Sequence, residues 1–362
     1  PGLAVAQPLN DACRAALTAA ANARWGEPAR CTQPVAAKTV TWLRLIAGPT
    51  SAGELARFIA ENPDWPLQIT LARRAEEVHA ALIDHTAVRR WFSRHPPSGI
   101  NGRLRYAEVL EAAGDRTGAA RLRRSVWVDL PANATGERQF LERHGSILRP
   151  EDHWARADRL SWARDADGAR RLLDRVPPAR QPVLRARLEA LSGSAGDFGF
   201  TPEHRRDPVV FFERARALRQ QDRDSEAARF WLAEGTAAQK AADEVRLGQF
   251  WSERHIIIRR LIRLRDAPTA YRIAAAHGLT DRGSVDFLEA EFLAGWIALR
   301  KLGRPEDALR HFTALEQAAT APISVSRGAY WRGRALLAAQ RAEEAQAAYR
   351  AAAEHPLTFY GQ

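Results

Sequence analysis

The sequence predicts an all-α chain, a superhelical solenoid of stacked helical hairpins. Three observations carry that prediction. Helix-forming residues dominate, strand signals are nearly absent, and a Leu–Ala pair recurs six times across short polar turns.

Ala, Leu, Arg and Glu, the strongest helix formers, make up much of the 362 residues. No run of Val, Ile, Thr and aromatics alternates long enough to mark a strand, and no Asn-Gly or Asp-Gly turn joins two such runs. The prolines gather where helices should begin or stop: Asn62-Pro63-Asp64-Trp65-Pro66, His95-Pro96-Pro97, Arg149-Pro150, Val176-Pro177-Pro178 and Ala321-Pro322.

The repeat is a Leu followed nine residues later by an Ala: Leu110 and Ala119, Leu160 and Ala169, Leu218 and Ala227, Leu261 and Ala270, Leu299 and Ala308, Leu336 and Ala345. Small or charged residues lie between, such as Gly114-Asp115, Asp222-Arg223 and Gly303-Arg304. A helix end, a three- or four-residue turn and a new helix start return the chain antiparallel to itself. The Ala admits close approach of the second helix, and the Leu fills the groove between the two. One hairpin cannot cover both of its apolar faces, so neighbours must stack. Successive Leu positions are 50, 58, 43, 38 and 37 residues apart. Tetratricopeptide repeats run near about 34, so the array is TPR-like but irregular. Such a superhelix can close into a ring or horseshoe. The segment 193–208, rich in Gly, Ser, Asp and Pro, is expected to be a loop or break. It would divide an N-terminal part, 1–192, from a C-terminal TPR-like part, 209–362.

Composition limits the function. Hydrophobic residues are 46% and charged residues 27%, which fits a folded chain and not a disordered one. No apolar stretch reaches the roughly 18 residues needed to span a bilayer; Trp42 to Ala47 is typical of how soon each is interrupted. Ala4-Val5-Ala6 has the small-x-small form of a signal-peptidase site and suggests export. Cys13 and Cys31 suit a disulfide clipping the first two helices in an oxidising compartment, with two buried thiols as the alternative. The net charge of +11 invites an anionic partner. Yet only Lys38, Lys240 and Lys301 are lysines in an Ala-rich, Met-free chain, a pattern that GC-rich codon usage also produces.

No phosphate loop, His-Glu-x-x-His, Gly-x-Ser-x-Gly or EF-hand motif occurs, and no metal or cofactor site is expected. His79 and His85, six apart, fall on different helical faces. The glutamates Glu76-Glu77, Glu289 and Glu291, and Glu343-Glu344 diverge along helices. They read as solvated faces or partners of nearby Arg, not as the two opposed carboxylates of a glycosidase. The eleven tryptophans read mainly as groove-filling core, with carbohydrate stacking open for one or two. In the run from Arg254 to Arg265, Arg259, Arg260, Arg263 and Arg265 interleave with Ile and Leu as on an amphipathic helix. A solvated face is the first reading and a polyanion groove the second. Nothing resembles a nucleic-acid module, so no nucleic-acid partner is expected.

Several stretches resemble the soluble lytic murein transglycosylase family. They are Arg57 to Pro66 (Arg-Phe-Ile-Ala-Glu-Asn-Pro-Asp-Trp-Pro), Trp91 to Gly99 followed by Gly102 to Glu108, and the closing His355-Pro356-Leu357-Thr358-Phe359-Tyr360-Gly361-Gln362. Ser252-Glu253-Arg254 with Ala270 to Ala274, and Ala329-Tyr330-Trp331-Arg332-Gly333-Arg334-Ala335, are similar to it too. The resemblance runs from about Leu55 onward. It implies an α-superhelix that closes into a ring, followed by a linker and a lysozyme-like domain that cleaves the MurNAc-GlcNAc bond of peptidoglycan to leave 1,6-anhydromuramic ends. The family's catalytic Glu is followed by Ser; no Glu here is. The chain is therefore expected to be the periplasmic, non-catalytic scaffold, with its leader removed and the linker and catalytic domain lying outside it. Its partners would be glycan strands and those downstream domains. Arg259, Arg263, Trp331 and Tyr360 are the candidate glycan contacts. The alternative is a stand-alone helical-repeat adaptor for a protein partner.

Overall fold

A computed structural model describes residues 8–25, 31–131, 133–196 and 199–362. The Ala4-Val5-Ala6 motif lies outside them. The described residues form twenty α-helices and three short 3-10 turns, with no strand among them. They divide into two compact units, Pro1–Arg159 and Leu160–Gln362.

The first unit contains α1 (Asp11–Ala21), α2 (Pro34–Ala47), α3 (Ala52–Glu61), α4 (Gln68–Ala80), α5 (His85–Phe92), α6 (Ile100–Ala112), α7 (Arg116–Asp129), α8 (Ala134–His144) and most of α9 (Pro150–Trp162). Cys13 of α1 is bonded to Cys31, just before α2. Helix α3 starts in a capping box, with Ser51 and Glu54 satisfying each other's backbone N–H groups. Leu45, Leu55, Phe58, Leu71 and Ala75 from α2, α3 and α4 form one core cluster.

Glu76 does not face solvent or an arginine, as its helical position suggested. Its carboxylate accepts hydrogen bonds from the Ser98 N–H and hydroxyl, both at 2.9 Å, and from the Gly99 N–H at 2.7 Å. It thus caps α6 from α4, where the orphan amides and the helix dipole favour an anion. The approach is close: a Cβ on Gly102 would stand 2.2 Å from the carboxylate oxygen. Farther along, the buried Arg156 of α9 donates to Glu137 at 2.8 Å and to the Trp127 and Leu130 carbonyls at 2.7 Å. It also lies over the Trp127 ring.

The second unit continues from Leu160 through α10 (Ala166–Arg170), α11 (Gln181–Leu191), α12 (Pro202–Arg206), α13 (Pro208–Gln220), α14 (Asp224–Lys240), α15 (Leu247–Arg263), α16 (Ala267–Ala275), α17 (Val285–Leu302), α18 (Pro305–Ala318), α19 (Pro322–Ala338) and α20 (Ala342–Ala353). Residues 193–208 belong to this unit and include α12; Phe200 packs there with Ala186, Ala190 and Val210. From α13 onward each helix packs on the next, and the first helices of successive hairpins, α13, α15, α17 and α19, also touch one another.

All six Leu–Ala pairs fall on helical hairpins, and the turns share one geometry. The residue four after each Leu is left-handed: Gly114, Arg164, Asp222, Arg265, Gly303 and Gln340 have φ between 57° and 87°. In five turns the next N–H returns to the carbonyl of the Leu at 2.8–2.9 Å; in the sixth, Arg304 reaches Ala298 instead. This is the Schellman-type closure that satisfies the last carbonyls of a helix. Asp115, Asp165 and Asp266 then cap the following helix. All six Ala are buried at the hairpin seam, as are five of the six Leu, with Leu299 partly so.

The core of the second unit is aromatic and branched, built around Phe211, Trp231, Phe250, Ile257, Ile258, Leu261 and Ile297. Where helices approach most closely, the small residue is glycine: a Cβ on Gly295 would sit 2.7 Å from the Phe312 ring.

Candidate functional site

Helix α15 sorts its arginines by face. Arg254, expected on the outer stripe, is buried. It donates to the Ile273 carbonyl at 2.9 Å and the Gln239 side chain at 2.7 Å, lies over Trp231, and is pulled down to about 9 by loss of water. Three of its helical neighbours, Ile257, Ile258 and Leu261, are core, so position 254 faces inward with them. Arg260 turns toward the preceding hairpin and donates to Asp222 at 2.8 Å and Asp224 at 3.1 Å. Arg265 is the left-handed turn residue.

Arg259 and Arg263 are exposed, one helical turn apart, on a third face. Among the described residues neither has a carboxylate within ion-pairing distance. They line a groove of about 620 Å³ between α15 and α17, with His255, Ile256 and Ile262 on one side and Glu289, Phe292, Leu293 and Trp296 on the other. Burial, and then the Arg259 charge, hold the His255 imidazole below its ordinary pKa. Glu289 is committed to Arg327 of α19, which donates to it at 2.9 Å and lies over the Phe292 ring.

Trp331 and Tyr360 line a second groove, of about 600 Å³, with Tyr330, Tyr349 and Phe359. Arg334 stands over both the Tyr330 and Trp331 rings and donates to the Tyr330 hydroxyl at 3.0 Å. The four sequence-derived contacts thus fall in two grooves, a pair in each. The grooves adjoin through Phe292 and Trp331, whose rings meet edge-on at 5.8 Å. Trp331 also packs on Phe312, so one side chain is both core and groove wall.

Sequence reasoning missed Phe292 and Trp296 as groove residues. Trp296 shares the helical spacing of the core tryptophans, and its place opposite α15 is visible only in the fold. Glu291, read as surface, is buried instead and held by two histidines: His277 at 3.3 Å and His311 at 2.6 Å. Position 291 faces inward because α17 is packed on both sides by α16 and α18. Glu213 is pushed above its ordinary pKa by burial, an environment that can mark functional acids. However, Glu213 pairs with Arg164 at 3.0 Å and lines neither groove. His79 stacks on Trp91, and His85 lies 3.4 Å from Arg105. Among the described residues no group of three or more His, Cys, Asp or Glu could hold a metal ion, and no helix is long and apolar enough to cross a membrane.

No protein-family model matches the chain, and no curated protein matches it in sequence. Among solved structures, the X-ray structure of an inactive mutant of the lytic transglycosylase Slt from Pseudomonas aeruginosa aligns with a TM-score of 0.52 at 19% identity. The alignment covers 98% of this chain and 59% of that one. The all-helical fold is similar to that of the aligned part of the Slt chain. At this identity the likeness concerns fold alone, and it agrees with the resemblance read from the sequence motifs. The first groove is built by α15 packed beside α17, and the second by α19, α20 and the residues that follow α20.

Proposed function

We propose that this chain is the non-catalytic helical scaffold of a peptidoglycan lytic transglycosylase of the cell envelope, and that its second unit holds a glycan strand. The observation that carries this is the pairing of aromatic walls with arginines at two adjoining grooves: Trp296 and Phe292 with the unpaired Arg259 and Arg263, then Trp331 and Tyr360 beside Arg334, which is bonded to the Tyr330 hydroxyl. Sugar rings stack their C–H faces on indole and phenol rings, and guanidinium groups bond hydroxyl, amide and carboxylate oxygens. The parent reaction would be cleavage of the MurNAc-GlcNAc bond with 1,6-anhydromuramic acid formation, performed by a lysozyme-like domain outside this chain. The likeness in fold to a lytic transglycosylase supports the assignment to such a parent. Location in an oxidising compartment of the envelope is supported by the Cys13–Cys31 bond.

A zymogram tests the scaffold assignment: the chain alone should leave a peptidoglycan gel unclear, and clearing would overturn it. Co-sedimentation with purified peptidoglycan tests binding, and Trp296→Ala with Trp331→Ala should reduce the bound fraction. Exposed Leu357 and Phe359 favour a second reading, a helical-repeat adaptor that seats a protein partner at the segment following α20. A chain that captures a protein partner but ignores peptidoglycan would select that reading.

A further inference from the structure

The groove between α15 and α17 carries more charge information than a neutral sugar would use. Arg259 and Arg263 project from successive turns, with Cβ atoms about 5–6 Å apart. No carboxylate of the described residues pairs with either. The one acid in the lining, Glu289, is already bonded to Arg327. Lys301 stands 5.2 Å from the centre of the Trp296 ring and adds a third cation. The α17 side of the groove is largely apolar, with Phe292, Leu293 and Trp296 in its lining. Two free guanidiniums in one groove with aromatic side chains match a ligand that is both ring-faced and anionic.

We infer that this groove selects a saccharide bearing a carboxylate, with the sugar face on Trp296 and the carboxylate bridged by Arg259 and Arg263. The inference rests on the glycan-holding reading above and narrows it. A carboxylate can reach the pair from two sources, an acid group on the sugar itself or a peptide hung from the sugar. In both cases the exposed guanidiniums gain two charge-assisted hydrogen bonds on binding. An acidic peptide would satisfy the arginines but leave the indole face without a ring to stack on it.

Calorimetric titration of the full chain separates these cases with four probes: neutral chitotetraose, glycan strands stripped of peptide, peptide-bearing strands, and an acidic hexapeptide. Stripped strands are expected to bind at least about tenfold tighter than chitotetraose, the ratio that one charge-assisted hydrogen bond supplies. Arg259→Gln with Arg263→Gln should erase that ratio, so that stripped strands bind the variant no tighter than chitotetraose binds the same variant. Both residues are exposed and unpaired, so an unaltered melting curve confirms that the variant folds. If peptide-bearing strands alone exceed chitotetraose, and the double variant removes their advantage, the carboxylate is the peptide's. Equal affinity of the neutral and both carboxylated probes overturns the inference but leaves the glycan reading intact. A surviving ratio in the double variant overturns it too. Binding of the hexapeptide with no saccharide overturns both.

Discussion

The Nδ1 of His311 lies 2.6 Å from one carboxylate oxygen of Glu291, while His277 approaches the other at 3.3 Å. His311 in turn reaches the Tyr271 hydroxyl at 3.3 Å, so α16, the loop after it, α17 and α18 are tied through one buried acid. Although burial alone would raise it, the two histidine hydrogen bonds hold Glu291 down at about 2. A carboxyl depressed on folding stabilises the native state above its unfolded pKa, near 4.5, and loses that contribution as pH falls through the folded value. Glu291→Gln should therefore cost about 2–3 kcal/mol at pH 7. In chemical denaturation the gap between wild type and variant should close between about pH 4.5 and pH 2. A gap that does not change with pH would contradict this account.

Glu76 supplies the cap of a helix it does not belong to. Replacing it with Ala strips three hydrogen bonds from Ser98 and Gly99, and should destabilise the first unit by about 1–2 kcal/mol. Amide hydrogen exchange reads the effect locally: Ser98 and Gly99 should lose protection in the variant, while amides of the second unit keep theirs.

Gln340 carries the left-handed turn of the last hairpin, with φ of 61° and an exposed side chain. Glycine adopts that backbone without the Cβ clash, at some cost in unfolded-chain entropy. Gln340→Gly should raise stability by about 0.5–1 kcal/mol, whereas Gly303→Ala, at φ of 63°, should lower it by a similar amount. Melting temperatures of the two variants should move in opposite directions.

The bond between Cys13 and Cys31 closes a loop of 18 residues. A crosslink of that span restricts the unfolded chain by about 3 kcal/mol. The oxidised chain should take up no alkylating label under denaturing conditions. Reduction should add two labels and weaken the first unit by about that amount. Proteolysis between Asn22 and Gln33 should quicken on reduction.

The hairpin reading and the fold agree because hairpin turns are local. A Leu, a residue able to turn left-handed four places later and an Ala nine places later define the bend within one short window, as Leu261, Arg265 and Ala270 show. The grooves are not local. Trp331 and Tyr360 were legible as a pair only through motif resemblance, and Trp296 was not separated from its core counterparts.

The sequence alone determined that the chain is helical, where each hairpin bends and which small residue lies in each seam. Backbone preference and helical period settle these before any distant residue is met. Only the tertiary structure decided that Arg254 is core, Arg260 an ion-pair partner and Arg259 a groove wall, though all three sit on one helix. The same holds for Glu291, buried between two histidines where its neighbour Glu289 meets the surface. The face a side chain presents follows from the helix it belongs to, but what covers that face is set by the hairpins stacked beside it.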